Sequence, residues 1–169
     1  MKQKLMRSNP AAGLEVPKVV KAKIEPSTVE SVRAILEQAP ADIRLLFQLD
    51  ALTGLRRGEI LALQWRDVDW LNSELIVERS IGRARATNGI HKYQHVVGST
   101  KGGRSRRVGL AQMLLDGLKT FRSIASDPSD ETFIFTRNGG FINPEYFSKW
   151  IALPLVKKAS EGRIKRFTT

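Results

Sequence analysis

The chain has 169 residues, 41% of them apolar, with no cysteine and a formal net charge of +11. That length carries one domain with a real core, and the absence of cysteine excludes a disulfide framework and a thiolate metal site. No apolar run is long enough to cross a bilayer and no hydrophobic stretch follows the basic N-terminus, so a cytoplasmic location is expected.

Residues 1–24 read as a linker, with Pro10, Gly13 and Pro17 and no sustained periodicity. The first helix opens at "STVE", a capping box in which Ser27 accepts from a backbone N–H and Glu30 reaches back. Val32, Ile35, Leu36 and Ala39 form its apolar face. Pro40 opens a second helix, whose Ile43, Leu45, Leu46, Phe47, Leu49 and Leu52 surround nearly the whole wheel, so it is expected to be central and buried. Gly54 terminates it. A short third helix is expected over 57–64, with Ile60, Leu61 and Leu63 inward.

The period then changes. "SELIVERS" alternates like a strand. "HKYQHVVGSTKGGRSRRVGL" reads as two strands joined around a turn at Gly102 and Gly103. A helix from Ala111 to about Ala125, a strand "TFIFT" and a turn at 138–140 follow. The last helix starts with Asn143 as cap, Pro144 at the first helical position and Glu145 beside the helix dipole. Pro154 is expected to kink or end it. The fold class is α+β, mainly helical: a helical core with a small three-stranded antiparallel sheet that has one basic face.

Charge is segregated along the chain. From Arg79 to Leu115 there is no acidic residue, while Arg79, Arg83, Arg85, Lys92, Lys101, Arg104, Arg106 and Arg107 are all cationic. This reads as the footprint of a polyanionic partner. If about six phosphates are neutralised, log affinity falls against log salt with a slope of about −5.

Two segments carry candidate chemistry. In "LTGLRRGEILALQWRDVD" the backbone at Arg56 is held by the core while its guanidinium reaches the surface, where its fork matches two phosphate oxygens. Glu59, one turn on, can orient that side chain. A pair of this kind taken alone is usually an inconsequential surface ion pair, and spacing does not choose between Arg56 and Arg57. Lys101 sits beside the glycine turn, where an ammonium can serve as a point charge or a general acid. A solvated hairpin tip is the plainer reading of that stretch alone.

Together, "TGLRRGEILALQWRDVD" and "STKGGRSRRVGL" resemble the catalytic domain of the tyrosine recombinases, the phage integrase family. The likeness continues through "FIFTRNGGFINPEYFSKWIALPLVKKA", and "NPAAGLEVPKV" looks like the connector from a separate DNA-clamping domain. Gly109, where many members carry proline, is a minor departure. The resemblance implies that residues 25–169 are a partial catalytic domain for site-specific recombination or integration. Arg56 would bind the scissile phosphate, with Glu59 supporting it, and Lys101 would assist the leaving 5′ oxygen. Arg57, Lys92, Arg104, Arg106 and Arg107 are expected on the nucleic acid.

In that family a tyrosine attacks the phosphodiester to give a 3′-phosphotyrosine, without metal or other cofactor. The implied partners are double-stranded DNA and other recombinase protomers. The family's second box, H-x-x-R, then His or Trp, then the nucleophilic Tyr, would lie beyond "RIKRFTT". Tyr93 and Tyr146 follow no such box and are expected to be structural, and this chain is expected to bind DNA without cleaving it alone. His91 and His95 lack the further ligands a zinc site needs. Asp67, Asp69 and Glu74 follow the arginine segment too closely to suggest a metal-dependent nuclease. The rival readings are a non-catalytic DNA-binding relative or regulator, a helix-turn-helix protein, which has no place for the long basic hairpin, and an RNA-binding module, for which stacking signatures are missing.

Overall fold

The computed structural model describes residues 13–14, 28–86 and 93–160. The expected cap Ser27, His91, Lys92 and most of the expected linker fall outside these residues. Helix α1 spans Val29–Gln38, and its cap is Thr28, whose Oγ1 accepts from the Ser31 N–H at 3.2 Å. Pro40 precedes α2, Ala41–Thr53. Leu45, Leu46, Phe47 and Leu49 of α2 are buried, but Leu52 is exposed, so the wheel is not apolar all round. Gly54 ends α2 in the left-handed region, at φ 61°, and donates its N–H to Asp50 O. Only a residue without Cβ takes that conformation at little cost.

The third helix, α3, is a single turn, Arg57–Ile60, and stops short of the expected Gln64. Tertiary pairing ends it. Leu61 and Leu63 plunge into the core, Leu63 O accepts from the Ile134 N–H, and Trp65 N–H donates to Thr132 O. A 3₁₀ turn, Trp65–Asp67, leads into β1, Val68–Asp69. That turn also explains why "TFIFT" is not a regular strand. Its partner curls away, leaving one isolated bridge, Gln64 with Phe133.

The next strands in the chain are β2, Glu74–Val77, β3, Arg79–Arg85, β4, Tyr93–Ser99, and β5, Arg106–Gly109. A three-stranded antiparallel sheet is present, in the order β1-β2-β5. Contrary to the expected hairpin, the two strands flanking Gly102–Gly103 do not pair with each other. Strand β4 pairs with β3, Arg79 facing Ser99, and β5 pairs with β2, Val77 facing Arg106. The segment 100–105 therefore stands opposite Glu78 alone, as an excursion from a long two-part ribbon.

Helix α4, Gln112–Ser123, buries Leu114, Leu115 and Leu118 and packs on α2. Strands β6, Thr136–Arg137, and β7, Gly140–Phe141, form a minimal hairpin through Asn138 and Gly139, both at positive φ. This is the backbone that a two-residue turn of the I′ type demands. Asn143 then caps α5, Pro144–Tyr146, its side chain accepting from the N–H groups of Glu145 and Tyr146. The helix neither ends nor simply kinks at Pro154. It passes through a π-helical turn, Phe147–Ala152, and continues as α6, Leu153–Ala159. A wider turn absorbs the missing proline N–H. One core joins both halves, with Trp65, Leu49, Leu75, Leu118 and Phe147 almost wholly buried, each large side chain worth roughly 1.5–3 kcal/mol.

Candidate nucleic-acid interface

Gly54 and the buried Leu55 deliver Arg56 to the surface in an extended conformation, with 65% of its side chain exposed. Glu59 lies one turn on and is 1% exposed. Its carboxylate accepts from the Arg56 backbone N–H at 2.9 Å and from Arg56 Nη1 at 3.1 Å. It also accepts a two-pronged grip from Arg106, Nη1 at 3.0 Å and Nη2 at 2.6 Å. Burial would push this carboxyl up, but the Arg106 fork, the Arg56 amide and the Arg56 guanidinium outweigh it and hold it at about 2. Two guanidiniums share one carboxylate, so the cluster keeps a net positive charge.

Gly58 makes this turn possible. A Cβ there would lie 2.6 Å from Ile81 O and 2.7 Å from Ser80 Oγ, so α3 seats directly on β3. Sequence reasoning missed it, although a glycine between two charged residues at the start of a helix signals a close backbone approach.

Strand β3 also borders the second candidate. Lys101 lies in the exposed segment 101–105, at the rim of a shallow trough of about 230 Å³ shared with Ser80, Gly82, Arg83, Gly98 and Ser99. The loop has its own fastening. Thr100 is buried, its hydroxyl donates to Arg104 O at 2.8 Å, and Gly103 N–H donates to Thr100 O at 2.8 Å. Ser80 thus touches both parts, meeting the Arg56 turn at Gly58 and lining the trough that Lys101 borders.

The other expected cations divide into two groups. Arg57 is half-buried and hydrogen-bonds Ser148 on the π turn. Arg107 pairs with Asp69 and Glu74, both at 3.0 Å, and Arg83 with Glu145 at 3.5 Å. Arg79 is pinned by the buried Asp67 and by Glu78. Among the described residues, Arg85, Lys101 and Arg104 have no carboxylate partner. Lys92 lies outside the described residues.

His95 Nδ1 meets Asn143 Nδ2 at 3.0 Å and its Nε2 lies 4.0 Å from Glu145, fastening β4 to the cap of α5. Since Asn143 Oδ1 is committed to the helix cap, its amide donates and His95 Nδ1 accepts. The Arg83 guanidinium stacks over Tyr93 at 4.6 Å, and that of Arg137 over Tyr146 at 3.7 Å. Among the described residues no group of acids and histidines could hold a metal ion, and no helix is long and apolar enough to cross a membrane.

Residues 23–168 match the model of the phage integrase family. The chain is 30% identical over 128 residues to a tyrosine recombinase XerC-like protein of Caldanaerobacter subterraneus subsp. tengcongensis, covering 70% of this chain and 33% of that protein. It is 28% identical over 162 residues to the ICEBs1 integrase of Bacillus subtilis, covering 88% and 42%. Among solved structures, the Tn1549 transposon integrase in complex with transposon right end DNA superposes with a TM-score of 0.68 at 18% identity, over 97% of this chain and 54% of that one. The XerA recombinase gives 0.62 at 21%, over 88% and 47%. The chain therefore spans between a third and about half of the length of these four proteins.

Proposed function

This chain belongs to the phage integrase family, and on that premise we propose that it is the phosphate-binding part of a cytoplasmic tyrosine recombinase acting on double-stranded DNA. The observation that carries this reading is the Arg56–Glu59 arrangement. A guanidinium that is orientated by a buried carboxylate, yet mostly exposed, is preorganised for an anion outside the protein.

In this reading Arg56 donates to the non-bridging oxygens of the scissile phosphate, where the transition state gathers charge. One such donor is worth about 10²–10³ in rate. Lys101, on its fastened loop, delivers a proton to the leaving 5′ oxygen. Glu59 reacts with nothing; it keeps Arg56 in one rotamer. Arg104 and Arg85 meet flanking phosphates, while Arg57 and Arg107 reach DNA only by exchanging their present partners. No metal or cofactor takes part. Other protomers join it on paired DNA sites during strand exchange.

The attacking hydroxyl is neither Tyr93 nor Tyr146, each of which lies beneath an arginine. On its own the chain is thus a DNA binder. The test is incubation of the chain with a nicked duplex, followed by denaturing electrophoresis beside a binding assay. Salt-sensitive binding without a covalent adduct agrees with the reading. An adduct mapped to Tyr93 or Tyr146, or no binding at low salt, overturns it.

A further inference from the structure

Arg106 is the one member of the Arg56–Glu59 cluster to which the chemistry above gives no task. It opens β5, paired with Val77, and directly follows the Lys101 loop. Its fork occupies both oxygens of Glu59, Oε1 at 3.0 Å and Oε2 at 2.6 Å. Those same oxygens receive Arg56, Oε1 its guanidinium and Oε2 its amide. We infer that Arg106 is a positioning residue, which locks the Glu59 carboxylate so that Arg56 is presented to the phosphate, and which ties the end of the Lys101 loop to the Arg56 turn. The inference rests on the phosphate reading of Arg56 given above.

Geometry decides between this role and direct DNA contact. If Arg106 turned outward to a phosphate, a carboxylate only 1% exposed would keep only the largely exposed Arg56 and lose its two-pronged partner, and a poorly compensated buried charge is unfavourable. Arg56 is the more exposed of the two, 65% of its side chain against 39% for Arg106. One guanidinium therefore neutralises Glu59 while the other projects the remaining charge outward. A lysine at 106 would keep the charge but lose the planar two-pronged grip.

The test is a double-mutant cycle on the full chain, read by anisotropy with a fluorescent mixed-sequence duplex across a salt series, alongside NMR titration of the Glu59 carboxyl. Arg56→Ala and Arg106→Ala should each weaken binding about tenfold, and the double variant should be scarcely weaker than either single one. The Glu59 carboxyl should titrate higher in Arg106→Ala, and Arg106→Lys, which guards against a folding failure, should restore binding only in part. Multiplicative losses, with the salt slope falling by about one further unit for Arg106→Ala, would show Arg106 on a phosphate and overturn the positioning role alone. An unaffected Arg56→Ala would overturn the phosphate reading and the positioning role together. An unmoved Glu59 titration in Arg106→Ala would overturn the lock directly.

Discussion

Glu59 holds a charge where charge is costly, and its surroundings turn that cost into a pH dependence. Its folded pKa, about 2, lies below the ordinary 4.5. The unfolded chain therefore binds more protons between those values, and the stability this group contributes is complete above about pH 4.5 and lost as pH falls towards 2. Asp50 on α2 acts in the opposite direction, since burial pushes it from 3.8 up to about 6. Its ionisation costs stability as pH rises from about 4 through 6. Urea midpoints measured against pH should show Glu59→Gln losing on the order of 3 kcal/mol at pH 7 together with the acid limb. Asp50→Asn should gain stability at pH 7 and leave pH 4 unchanged; a loss at pH 7 would contradict the sign. The Arg56–Glu59 spacing was legible in the sequence because helix geometry places neighbours three apart. The Arg106 grip was not, because it joins residues 47 positions apart, and only the folded ribbon brings them together.

Among the elements, those set by local chemistry were the most legible. Gly54, Asn143 and the 138–140 turn act as their residue types dictate. Elements set by tertiary pairing were less so. Residues 61–64 keep a helical pattern of apolar side chains, yet they are drawn out to pair with 132–134. The strands beside Gly102–Gly103 look like a hairpin, yet each pairs with a different neighbour, because alternation sets a strand's faces and not its partner. The seat of α3 on β3 gives a direct test. Gly58→Ala places a methyl 2.6 Å from a backbone oxygen and should cost about 1–3 kcal/mol, read by thermal denaturation. It should also weaken duplex binding by moving Arg56. Gly102→Ala, where a Cβ meets nothing within 4 Å, should change stability little. Equal melting temperatures for the two variants would remove the argument for close packing.

For the whole molecule, a linear reading of charge overstates what is available to DNA. The stretch from Arg79 to Leu115 has no acid of its own, but Glu59, Asp67, Asp69, Glu74, Glu78 and Glu145 reach it from outside. A window along the sequence cannot see carboxylates that arrive through folding. Of the described cations in that stretch, Arg85, Lys101 and Arg104 remain to meet phosphates, and Arg56 joins them from outside it. They alone give a log–log salt slope of about −3.5, against about −7 if all eight cations of the stretch were engaged. The most direct test of the central claim, that Arg56 is a built phosphate site and not one surface cation among several, compares Arg56→Ala with Arg104→Ala in duplex binding at fixed salt. Both remove one positive charge. Arg56→Ala should weaken binding about tenfold, and Arg104→Ala by only about two- to threefold. Equal losses would mean that Arg56 contributes charge and nothing more.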